Sequence, residues 1–163
     1  MSNKRIWVFG AGVSLDTFDY SQAGEDRLGI NLAAYVVPDL LGAFTADYHM
    51  LRHYEKYLRG MPVYTYKTRH NFDLPMMYVD IPLSYRTYST QAAILMCNMK
   101  GYDEIYMVGF DSRYGNNDYS IRIKAFCEEC PFTNLTKPRD FAPINICVDK
   151  IVGLRSKVIW MHG

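Results

Sequence analysis

The sequence predicts an α/β fold: an open, mostly parallel, Rossmann-like sheet with helices on both faces, in one domain over residues 1–163. Three observations point there. Short apolar runs of strand length recur along the chain and alternate with segments of helical spacing. The first run, residues 6–9, breaks directly onto Gly10-Ala11-Gly12. Small or polar residues stand where the runs end, namely Gly10 to Ser14, Asn31, Asp47, Asp111 and His162. In an open α/β sheet such ends share one edge, which is where ligands bind.

The elements follow in order. Ile6, Trp7, Val8 and Phe9 have the composition of a strand buried on both faces. Gly10, Ala11 and Gly12 then let the backbone turn sharply and approach a ligand, because no large side chain intervenes. A helix leaving that turn would aim its free N–H groups and positive end at the site, where phosphate is the usual guest. Ser14 would cap the helix or donate to a phosphate oxygen. The same residues also suit a tight turn that holds no ligand.

Residues 15–24 read as a short irregular helix and loop, and 27–31 as a second strand ending on Asn31. Pro38-Asp39 marks a turn before the apolar run 40–45. Asp47 can cap a helix over 48–59, and Gly60 terminates it. Residues 63–66 and 77–81 are strand candidates on either side of a polar loop with His70 and Asn71. Ser89 is expected to cap a helix over 90–100 whose apolar surface is Ala93, Leu95, Met96 and Met99; Gly101 stops it. Residues 104–108 form the clearest strand and close on Gly109-Phe110-Asp111. A polar excursion with at least one helix follows, and residues 112–139 would act as a lid if folded over the pocket. Helical spacing returns over 140–153, and a last strand over 157–161 leads to His162.

Composition narrows the function. At 163 residues, with 49% hydrophobic and 21% charged residues, the chain can bury one ordinary core. A net charge of +1 gives no reason to expect a nucleic-acid or membrane surface. The 14 tyrosines are amphipathic; some suit stacking on a base or sugar and most suit half-buried packing. No apolar stretch nears the ~20 residues of a membrane span, and the first run is too interrupted for a signal peptide. A cytoplasmic location is therefore the default, with Cys97, Cys127, Cys130 and Cys147 reduced. Cys97 reads as a small core residue.

With these residues laid out, the chain resembles the bacterial lipooligosaccharide sialyltransferases and the related domain of motility accessory factors and 6-hydroxymethylpterin pyrophosphokinase-like proteins. The segment from Phe9 to Leu15, followed by Asp19-Tyr20-Ser21, is similar to the family's Gly-x-Gly-Pro-Ser-Leu nucleotide-phosphate loop. Gly29-Ile30-Asn31 is similar to its second-strand Asn, which contacts the nucleotide. Pro38-Asp39 and Asp47 resemble a Pro-Asp and a later Asp of the pterin-kinase-like branch. The strongest match is Tyr88-Ser89-Thr90, a ten-residue helix, and then the run from Gly101 to Asp111. Val13 departs from the family's Pro, and Thr90 from its frequent Gly.

The resemblance spans residues 5–114 and implies a site. In the family the residues matching Ser89 and Asp111 contact the cytidine and ribose portions of the donor. In a nucleotide-dependent transferase Gly10, Ala11, Gly12, Ser14 and Ser89 would hold phosphate, Asn31 and Asp111 would orient base and ribose, and Thr90 would lie in the same nucleotide site. Tyr114 would help hold phosphate, and Asp47 would lie at the ligand. The family's histidine base has no motif match here, since no histidine lies between His70 and His162. His162 and Asp111 are the catalytic candidates that remain. The function implied is a nucleotide-sugar-dependent, sialyltransferase-like glycosyltransferase with a CMP-type donor. The alternatives are a non-catalytic protein that captures a nucleotide or nucleotide-derived signal, and a pyrophosphokinase-like transferase using Mg2+ near Asp47 or Asp111. The partner is a small nucleotide ligand; a homo-oligomer is compatible.

Other patterns read more plainly. His49 and His53 share a helix face but lack a third metal ligand, and they suit a solvated or packed pair. Cys127-Glu-Glu-Cys130 has half the spacing of a zinc site, with ordinary reduced cysteines as the simpler reading. Arg113, Arg122, Lys124, Lys137 and Arg139 give the excursion a positive face suited to solvent or to phosphate. No metal site is assigned.

Overall fold

The computed structural model describes residues 3–58, 60–71, 73–111, 118–130 and 144–161, with backbone alone at 49 and 55–57. Among these residues seven strands form one sheet: β1 (Arg5–Phe9), β2 (Arg27–Ile30), β3 (Gly42–Phe44), β4 (Val63–Thr65), β5 (Met77–Tyr78), β6 (Glu104–Val108) and β7 (Lys157–Met161). Their order is β5-β4-β3-β2-β1-β6-β7, and all pairs are parallel. The chain thus winds outward from β1 to β5 and returns to the far side of β1. Strand order reverses between β1 and β6, which creates a crevice outside their carboxyl ends.

Burial follows from that position. In β1 all residues but Arg5 are buried, since Ile6 and Val8 face one layer and Trp7 and Phe9 the other. One layer is α2 (Ser89–Met99), where Thr90 through Cys97 are buried without interruption between the sheet and α4 (Ile144–Asp149). A helix covered on two sides has no polar stripe, which is why its apolar residues do not follow one face. Cys97 belongs to this core, and burial pushes its thiol up to about 12, so it stays protonated and unreactive. The opposite layer is α1 (Tyr48–Tyr57), which turns Met50, Leu51 and Tyr54 inward, and α3 (Ile121–Glu129), which inserts Ile123.

The short irregular helix and loop after the glycine turn takes the form of two 3-10 turns, Val13–Asp16 and Tyr20–Gln22. Phe18 and Tyr20 stand edge-to-face at 5.2 Å and both pack on Phe9, occupying the sheet face that a longer helix would cover. The fifth strand is two residues long instead of five. The Ile81 carbonyl is taken by Arg86 Nε at 2.6 Å, and Pro82 can donate nothing to a ladder. No described helix is long and apolar enough to cross a membrane.

Candidate functional site

The glycine turn after β1 and the turn after β6 are packed backbone to backbone. Gly10 N–H donates to the Val108 carbonyl at 2.7 Å and Gly12 N–H to the Gly109 carbonyl at 2.8 Å. Gly109 takes φ +82°, and a Cβ there would lie 2.3 Å from the Gly10 carbonyl oxygen. A Cβ on Gly12 would lie 2.1 Å from Asp111 Oδ2. The glycines are therefore demanded by the contact between two turns.

Asp111 closes this contact. Its Oδ2 accepts from Ser14 N–H at 3.1 Å and from the Ser14 hydroxyl at 2.9 Å, and the same hydroxyl accepts from Gly109 N–H at 3.0 Å. Gly12 and Asp111, expected to share a crevice, touch. The Ser14 donors that the sequence assigns to phosphate or to a helix cap are held by a buried carboxylate of the protein itself, and the residue flanking the 3-10 turn is Gly12. The second half of the expected phosphate trap is absent too, because a four-residue 3-10 turn has little dipole to offer.

Part of the excursion covers the turn. Tyr119 bridges Gly12, and Ser120 N–H donates to the Ala11 carbonyl at 2.9 Å. The Ser120 side chain caps α3 at Ile123 N–H, while Asp16 accepts from Ile121 N–H at 2.9 Å. Arg122 stacks over the Tyr20 ring at 5.3 Å, and Lys124 pairs with Asp118 at 2.9 Å, so both cations have local partners.

The other end of the crevice is formed by β2, β3 and the start of α2. Asn31 follows β2 at φ +51°, a left-handed conformation that Asn tolerates. Its Oδ1 accepts from the Thr45 hydroxyl at 2.5 Å, and its carbonyl accepts from the Tyr54 phenol at 2.7 Å. Burial drives the Tyr54 pKa well up, so the phenol remains a donor. Asp47 is exposed, and its N–H donates to the Thr45 hydroxyl at 3.1 Å.

Ser89 is not the cap of α2. Tyr88 holds that position without a side-chain bond, and the Ser89 hydroxyl instead accepts from Ala46 N–H at 2.9 Å. This contact seats the first turn of α2, with buried Thr90, against the loop leaving β3. Of the sequence-predicted residues, Gly10, Ala11, Gly12, Ser14 and Asp111 thus gather at one end, and Asn31, Asp47, Ser89 and Thr90 at the other.

Tyr114, His162, Arg113, Lys137 and Arg139 lie outside the described residues, as does the His49 side chain. Among the described residues no three His, Cys, Asp or Glu side chains converge as a metal site, and Cys127 and Cys130 form no disulfide. A cavity of about 660 Å³ lies at the opposite, amino ends of β4 and β5, beside Met61, Pro62, Pro75, Met76 and Arg52. None of the predicted site residues lines it.

Sequence reasoning missed Thr45, Tyr54 and Thr65. Thr65 at the end of β4 is fully buried, and its hydroxyl has no partner among the described residues. Thr45 closes the apolar run 40–45, but nothing in the run 63–66 singles out Thr65. No family model matches the chain, and neither does any curated protein or solved structure.

Proposed function

We propose that this protein binds a nucleotide in the crevice outside β1, β2, β3 and β6, and serves as a nucleotide-sugar-dependent transferase of the sialyltransferase-like kind. The observation that carries the reading is the seating of Asp111 at the strand-order reversal, with the first turn of α2 anchored across the crevice through Ser89.

Electrostatics decides which end takes the phosphate. An anion about 4 Å from the Asp111 carboxylate would be repelled by ~4 kcal/mol at the effective dielectric of a protein surface. The first turn of an eleven-residue helix attracts it by ~0.3–1 kcal/mol instead. Phosphate therefore belongs at Ser89 and Thr90, and not in the glycine turn. Asp111 suits the sugar: with Oδ2 fixed by Ser14, Oδ1 is left to accept from a ribose hydroxyl. His162, one residue beyond β7, is the base this reading requires.

One observation favours a binding protein without turnover. The carboxylate that matches the strongest motif is engaged by two donors within the protein, which suits holding more than proton transfer.

Thermal melting with CMP, UMP, AMP and GMP, each with and without Mg2+, tests the binding claim. A nucleotide at 100 times its Kd adds ~2.7 kcal/mol, a rise of roughly 5–10 °C for a domain of this size. A flat response to all four nucleotides would sink it. Release of free sugar from CMP-sialic acid separates the transferase from the binding protein, which would bind CMP without consuming the donor.

A further inference from the structure

The bonds at the ends of β2 and β3 have a direction. The Thr45 hydroxyl is fully buried and accepts from Asp47 N–H. Its proton has two acceptors in reach, Asn31 Oδ1 and the Tyr54 oxygen. Two arrangements are conceivable. Thr45 donates to Oδ1, leaving the Asn31 amide NH2 to the crevice, or the amide is turned and Oδ1 faces outward.

The structure adopts the first: Thr45 Oγ1 donates to Asn31 Oδ1 at 2.5 Å, an O–H···O length. Tyr54 meanwhile fixes the Asn31 carbonyl, and the half-buried side chain has no partner at Nδ2 among the described residues.

We propose that Thr45 is a positioning residue that holds the Asn31 amide with its NH2 toward the crevice, so that this end of the site recognises a lone-pair acceptor on the base, a carbonyl oxygen or unprotonated ring nitrogen. The ligand rests on the nucleotide reading above; the orientation does not. A donor so fixed rejects a ligand presenting N–H at that point, because two donors would then face each other.

The experiment has two arms. Hydrogen exchange of the Asn31 side-chain amide, followed by NMR on the ligand-free 15N-labelled protein, reads the orientation directly. Exchange within about threefold of a free amide is expected, in wild type and in Thr45→Val alike, since exposed N–H groups exchange fast. Protection in wild type that is released in Thr45→Val would overturn the proposal. In the second arm, calorimetry uses CMP as probe. Thr45→Val should weaken it about tenfold and Thr45→Ser should restore it, while Asn31→Asp, which cannot donate, should lose about a hundredfold. Undiminished affinity in Asn31→Asp with intact circular dichroism would overturn it. If wild type binds no nucleotide, the function above falls while the exchange arm still decides the orientation.

Discussion

At the β1–β6 end of the crevice, Gly10, Gly12 and Ser14 give their N–H groups to protein acceptors, and the Ser14 hydroxyl is spent on Asp111. At the β2–β3 end, Asn31 keeps an amide donor and the first turn of α2 has no side-chain cap. The difference separates two meanings of a glycine-rich turn. Glycine reports that something approaches the backbone closely, and here that something is the turn after β6. The side-chain donor left without a partner among the described residues is instead the Asn31 amide at the other end.

The largest effect should come from breaking the closed end. In Gly109→Ala the new Cβ would meet the Gly10 carbonyl at 2.3 Å, on a backbone at φ +82° that L-residues disfavour. Neither atom is the flexible end of a side chain, so the turns must separate. A loss of ~3–5 kcal/mol is expected, read by urea denaturation. Gly12→Ala should cost less, because φ −76° suits an L-residue there, although its Cβ would still meet Asp111 Oδ2 at 2.1 Å and the Gly109 carbonyl oxygen at 2.7 Å.

Next comes Asp111→Ala. It strands Ser14 N–H and hydroxyl in a buried setting, at a cost of ~2–3 kcal/mol, and removes the proposed ribose contact. Stability and CMP affinity should fall together. Asp111→Asn keeps an acceptor for Ser14 and should recover most of the stability. If it recovers the affinity too, the charge of Asp111 is not used by the ligand.

Much of the closed end was legible. An apolar run breaking on Gly-x-Gly, and a second closing on Gly-Phe-Asp, specify two parallel strands that end side by side, and Gly12 meets Asp111. What could not be read was the partner of Ser14, because a serine after a glycine turn serves a phosphate, a cap or a carboxylate equally well. The 3-10 form of the segment after the turn was hidden for a related reason. Phe18 and Tyr20 have no helical incompatibility, and only their packing on Phe9 shows that the sheet face is already filled. At the open end, Asn31 was legible by its place after β2. Thr45 was hidden because a threonine suits a buried strand end whether or not its hydroxyl is used.

Ser89→Ala probes the open end more gently. It removes the acceptor for Ala46 N–H, worth ~1 kcal/mol of stability by thermal melting. A drop in CMP affinity beyond that of the neighbouring Thr90→Ser would assign the hydroxyl to the phosphate as well as to the loop.

The smallest effect is the one whose sign carries the most information. Thr65 buries a hydroxyl that has no partner among the described residues, in the strand next to Thr45. A polar group buried unpaired costs free energy that a methyl group in the same place does not. Thr65→Val, nearly isosteric, should therefore raise stability by up to ~1 kcal/mol, read as a shift in the denaturation midpoint at constant slope. Proteins retain such costs where function uses the group. A stabilised Thr65→Val with weaker CMP binding would extend the open end of the crevice to β4, and unchanged binding would confine it to β2, β3 and α2. A destabilised variant would mean that a buried water satisfies the hydroxyl, which would make this end as closed as the other.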